Sequence, residues 1–96
     1  MSSPEEVRRR RDEIDRLDAE LVRILNQRAA LALDLAHLKQ GLGWEIHDPE
    51  RERQVLLRDV DTNAGPFDRS GIRRIFGRII CESRRMEKEL HKEGRP

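Results

Sequence analysis

Five polar residues lie on or beside otherwise apolar helical faces: Arg28, Lys39, Arg51, Ser83 and Glu87. Arg28 and Lys39 are eleven positions apart, close to three helical turns, so both point to one side with ~16.5 Å between their backbones. Side chains of that length converge on one small anion. Arg51 belongs to the first turn of a second helix, where free amides and the helix dipole add positive potential. Each residue alone has a plainer explanation: Arg28 snorkels or pairs with an acid, Lys39 serves a helix C-terminus, Arg51 is solvated. Together they describe a cationic pocket lined by helices, because two or more buried cations are costly without an anionic ligand. Arg11 sits 28 residues before Lys39, ~42 Å along a helix, and cannot reach it within one chain. In an antiparallel pair of chains, Arg11 can enter the partner's pocket.

The elements that carry these residues are helical. Ile14, Leu17, Leu21, Ile24, Leu31, Leu35, Leu38 and Leu42 recur in steps of three and four, and Arg28 interrupts this seam. The spacing predicts a long first helix over about residues 6–41. From Arg11 to Leu42 it is ~45 Å long, whereas a domain of this size has a radius of gyration of ~13 Å. The expected cover is a second copy of the chain in a two-fold dimer. Residues 1–6 are expected as a frayed lead-in, in which Ser3-Pro4-Glu5-Glu6 supplies a cap, Pro at N1 and first-turn acids. Gly41 and Gly43 end the helix, and Trp44 and Ile46 are expected to cover the edge of the core. Asp48-Pro49-Glu50 starts a second helix over about residues 49–62, with Val55, Leu56 and Val60 turned inward. Asp68 or Ser70 caps a third over about residues 69–90, whose stripe is Ile72, Ile75, Phe76, Ile79, Ile80, Met86 and Leu90. Ser83 and Glu87 continue the line of Phe76 and Ile80 in polar form. The tail from His91 to Pro96 is expected to be loose. The fold class is all-α: three helices per chain, long–short–medium, intertwined as an antiparallel homodimer, with residues 1–96 forming a single domain.

Composition narrows the partners. Charged residues make up 41% of the chain, yet 20 Lys and Arg nearly cancel 19 Asp and Glu, without the basic excess of a nucleic-acid binder. The run Arg8 to Arg11 is then mainly a solvated first turn or two. The single Cys81 rules out an internal disulfide, and no Cys/His pair has metal-ligand spacing. Neither a transmembrane-length apolar run nor a signal-peptide core is visible, so the expected location is the cytoplasm.

The chain resembles the all-helical chorismate mutases, of the type found as the mutase domain of bacterial chorismate mutase–prephenate dehydratase. The likeness rests on Arg11-Asp12-Glu13-Ile14-Asp15-Arg16-Leu17-Asp18, Leu21 through Asn26-Gln27-Arg28, Lys39, Asp48-Pro49-Glu50-Arg51-Glu52, Ile72 through Phe76, Ile79-Ile80 and Glu82-Ser83. It covers roughly Arg8 to Leu90, and the order and spacing of these stretches carry it. The resemblance implies a cofactor-free Claisen rearrangement of the dianion chorismate to prephenate in two equivalent pockets of a homodimer. It implies that Arg28 of one chain and Arg11 of the other bind the two carboxylates. It further implies that Lys39 donates to the ether oxygen and contacts a carboxylate, that Arg51 and the backbone around Asp48 orient the ring end, that Glu52 accepts from the ring hydroxyl, and that Ser83 supports a carboxylate. The chemistry suits such residues: a pericyclic reaction needs no proton transfer, so catalysis comes from holding the reactive conformer and stabilising developing charge.

One position departs from the bacterial pattern. Four residues after the serine, a glutamine commonly donates to the ether oxygen, and here Glu87 stands in its place. Only a protonated carboxyl can donate, so Glu87 is expected to work in its acid form; fungal members of the family are similar in having a glutamate there. Two related activities share the resemblance, isochorismate cleavage to salicylate and pyruvate and rearrangement of 4-amino-4-deoxychorismate; product mass separates them. A non-catalytic helical regulatory dimer is the alternative from another class, and the presence of Arg11, Arg28, Lys39, Arg51 and Glu52 together speaks against it. The family type also allows association with another pathway enzyme.

Overall fold

Three α-helices account for all regular structure among the described residues of this computed structural model, which are residues 2–93, with side chains as far as residue 90. They are α1 (Pro4–Gly41), α2 (Pro49–Thr62) and α3 (Arg69–Glu93), of 38, 14 and 25 residues, in the long–short–medium order that periodicity predicts. No helix among the described residues is long and apolar enough to cross a membrane.

Local chemistry explains where each helix begins. The expected frayed lead-in is already helical from Pro4, because the Ser3 hydroxyl accepts from the Glu6 amide at 3.2 Å and satisfies a first-turn donor. Asp48 caps α2, its Oδ1 accepting from the Arg51 amide at 3.1 Å, with Pro49 in the first turn. Of the two candidate caps for α3, the structure uses Asp68, whose Oδ1 accepts from the Gly71 amide at 2.6 Å. A Cβ at Gly71 would lie 2.9 Å from that same oxygen, so the glycine keeps room for the cap. Asp68→Ala is expected to lower stability by about 1 kcal/mol, read as a lower urea midpoint with an unchanged m-value.

The end of α1 is a Schellman turn. Gly43 takes φ +74°, the Trp44 amide donates to Lys39 O at 2.9 Å, and the Gly43 amide donates to Gln40 O at 3.1 Å. The other expected end differs: α3 continues to Glu93, so residues 91–93 of the expected loose tail are helical, while residues 94–96 lie outside the described residues.

The chain divides into two compact units, Met1–Leu31 and Ala32–Pro96. The first is helix α1 up to Leu31, and every large aliphatic on its seam is uncovered: Ile14, Leu17, Leu21 and Ile24 are about half exposed and Leu31 is 69% exposed. The second holds the end of α1, the connector, and α2 packed on α3. Among its described residues the buried apolar side chains are Ala36 and Val60, and Val55, Leu56, Ile72, Phe76, Ile79 and Ile80 are half-buried. Arg69 Nη2 bonds Asp61 Oδ1 at 2.9 Å and ties the end of α2 to the start of α3. Trp44, expected over the core edge, is instead 64% exposed, because the Schellman turn directs the chain outward there; Ile46 is half-buried.

Candidate functional site

The second unit gathers most of the candidate residues around the connector between α1 and α2. Lys39 occupies the last turn of α1, half-buried, where its carbonyl takes the Trp44 amide and its Nζ donates to Ile46 O at 3.3 Å. The connector thus folds back over the lysine, and an ammonium with three donors keeps capacity for a further acceptor. Asp48 spends one carboxylate oxygen on the Arg51 amide, and its carbonyl accepts from the Glu52 amide at 3.1 Å. The Arg51 guanidinium is exposed at the start of α2 and has no ion-pair partner among the described residues. Cation and dipole therefore reinforce one another at this end of α2, where Asp48 already takes the Arg51 and Glu52 amides.

Glu52 is engaged from two sides. Arg84 Nη2 bonds both of its carboxylate oxygens, and His47 Nε2 lies 3.2 Å from Oε1. The Arg84 guanidinium is held above its ordinary range first by the hydrogen bond with Glu52, against a desolvation penalty, with Glu87 contributing as a nearby negative charge. Its Nε is buried and has no hydrogen-bond partner among the described residues. Ser83 and Glu87 are half-buried and one turn apart on α3, hence on one face, and both are engaged in interactions. Arg11 and Arg28 belong to the first unit, Arg11 exposed and Arg28 half-buried and engaged.

The flanking charges behave differently. Arg53 lowers the Glu50 carboxyl below its ordinary range, first through a hydrogen bond and then through its charge, and Arg85 does the same to Glu82. Both are exposed i,i+3 pairs of the kind that contribute little to stability. No group of three or more potential metal-ligating side chains occurs among the described residues.

Two residues at this site escape a reading of the sequence: Arg84 and His47. Arg84 is adjacent to Ser83, yet nothing in its own neighbourhood separates it from the many other arginines. Its partner is 32 positions away, on another helix.

The sequence profile described as chorismate mutase type II matches residues 10–88. The chain is 36% identical over 90 residues to the bifunctional chorismate mutase/prephenate dehydratase of Aquifex aeolicus, a match over 90% of this chain and 25% of that protein. It is 31% identical over 91 residues to the chorismate mutase of Methanocaldococcus jannaschii, covering 86% of this chain and 85% of that one. Thus the chain spans about a quarter of the length of the bifunctional relatives and most of the monofunctional one. Among solved structures it is similar to Form II of chorismate mutase from Thermus thermophilus, with TM-score 0.82 and 33% identity over 85% of this chain and 93% of that one.

Proposed function

The chain belongs to the chorismate mutase type II family, and from that membership we propose that it rearranges chorismate to prephenate as a homodimer. The observation that carries this reading is the full cationic set of the family, Arg11, Arg28, Lys39 and Arg51, together with Glu52, in a chain of matching fold. The relatives reported above are all named for chorismate mutase activity, which favours this reaction over isochorismate cleavage or rearrangement of the 4-amino analogue.

In the reaction an ether C–O bond breaks as a C–C bond forms within one molecule, so no proton or electron enters or leaves. Arg28, with Arg11 from the partner chain, forms planar forks on the two carboxylates and holds the compact conformer. Lys39 places a point charge at the ether oxygen, where negative charge develops. Arg51 and the Asp48 backbone orient the ring end, Glu52 accepts from the ring hydroxyl, and Ser83 supports a carboxylate. Residues 1–96 act as one mutase domain. Dimerisation is supported by the uncovered seam of the first unit: burying a leucine such as Leu17 or Leu21 stabilises by roughly 1.5–3 kcal/mol. Incubation of the purified chain with chorismate tests the reading. Formation of prephenate supports it, and a folded dimer that leaves chorismate unchanged rules it out.

Glu87 completes the proposal as a protonated acid donating to the ether oxygen. The positive charge of Arg84 on the same helix favours the carboxylate, while a bound dianion opposes a further negative charge beside it. Activity resting on the acid form falls as pH rises through the titration of Glu87. The expected result is therefore a falling limb in the kcat/KM–pH profile that Glu87→Gln removes. A substitution that leaves the profile unchanged excludes this role.

A further inference from the structure

We propose that Arg84 is a positioning and specificity residue: it clamps Glu52 and cancels its charge, so that the ring end of the pocket selects a hydroxyl over an ammonium group. This rests on the assignment of Glu52 to the substrate's ring hydroxyl made above.

The geometry separates this pair from the exposed pairs made within a single helix. Arg53–Glu50 is a neighbouring-turn pair with both side chains 62% exposed. Arg84–Glu52 instead joins α3 to α2 across 32 residues, with side-chain exposures of 39% and 23%. One Nη2 group spans both carboxylate oxygens, and the Nε–H is buried unpartnered among the described residues. Burying a donor without a partner is unfavourable, so the guanidinium is held where it is by Glu52 and not by its own best hydrogen bonding. His47 Nε2 adds a second contact at Oε1, 3.2 Å away. Glu52 is thus fixed from the connector and from α3.

Charge decides what such a carboxylate recognises. A lone half-buried glutamate attracts an ammonium strongly and a hydroxyl modestly, because only the former brings a full opposite charge. Paired with Arg84, the Glu52 side chain keeps its acceptor lone pairs while the local net charge is near zero. A hydroxyl still donates to it, whereas an ammonium meets the guanidinium's repulsion as well as the carboxylate's attraction. Selection therefore follows from the arginine, acting through Glu52.

The test compares kcat/KM for chorismate and for 4-amino-4-deoxychorismate in the wild type, Arg84→Met, Arg84→Lys and each combined with Glu52→Gln. Arg84→Met is expected to shift the ratio toward the amino substrate by about tenfold, and Arg84→Lys, which keeps the charge, to stay within about twofold of wild type. In the Glu52→Gln background, removal of Arg84 is expected to shift the ratio by clearly less than in the wild-type background, since no carboxylate then holds the guanidinium beside the ring end. If Arg84→Met does not fold, Arg84→Gln decides by the same ratio. An unshifted ratio in a folded, charge-removed variant overturns the proposal, as does a shift in Arg84→Lys equal to that in Arg84→Met or a shift undiminished without Glu52. A wild type inactive on chorismate overturns the mutase reading itself, and the proposal with it, before any variant is compared.

Discussion

Lys39→Ala is expected to lower kcat/KM for chorismate by about three orders of magnitude, mostly through kcat, with little loss of stability. Removing one donor aimed at a developing oxyanion typically costs about 10²–10³ in rate, and Lys39 is assigned a carboxylate contact as well. A thousandfold loss corresponds to about 4 kcal/mol of transition-state stabilisation. The folded state depends far less on this ammonium. Its hydrogen bond to Ile46 O is 3.3 Å long, at the weak end for a charged donor, and contributes on the order of 1–2 kcal/mol. The turn that ends α1 uses the Lys39 carbonyl and the conformation of Gly43, both of which survive the substitution. Lys39→Arg is not expected to restore activity, because a planar fork delivers its charge over a wider area than a compact ammonium. Steady-state kinetics beside thermal unfolding of the same variant checks both halves. Activity within tenfold of wild type would remove Lys39 from the catalytic role.

Mixing two inactive variants is expected to restore activity. Arg11→Ala and Lys39→Ala each disable both sites of their own homodimers if every pocket takes Arg11 from one chain and Lys39 from the other. In a mixed dimer, the Arg11→Ala chain supplies an intact Lys39 and its partner an intact Arg11, so one complete pocket forms and the other carries both defects. With random pairing, half of the dimers are mixed, and about a quarter of all pockets regain wild-type composition. Co-expression with two different affinity tags isolates the mixed species directly, and its activity per pocket should approach half that of wild type. No recovery in a confirmed mixed dimer excludes donation of Arg11 across the interface. Support for the crossing is physical: Arg11 is exposed on the first unit, on the same helix whose Leu17, Leu21 and Ile24 are about half exposed.

Much of the fold was legible before any coordinates. Three- and four-residue spacing from Ile14 to Leu42 defines α1, and Asp48-Pro49 and the alternatives Asp68 or Ser70 mark the starts of α2 and α3 within a few residues. The candidate site was legible in part, because Arg28, Lys39 and Arg51 interrupt apolar faces or sit at a helix start, where a charge has to be explained. Arg84 interrupts nothing. In a chain with 41% charged residues, one more arginine beside Ser83 carries no local signal. Trp44 misleads for a related reason: a large aromatic usually covers a core, and here a single left-handed glycine turns it outward to 64% exposure.

By itself, then, the sequence determined the helices, the cap of α2 and the glycine end of α1, since periodicity, capping and glycine conformation act over a handful of neighbouring residues. Only the tertiary structure decided that Glu52 is clamped by Arg84 and met by His47. That pairing depends on how α2 packs on α3 and on the rotamers that packing allows, which bring together residues 32 positions apart. The polar candidates came from their placement in the sequence; their working environment came from the packing of one helix on another.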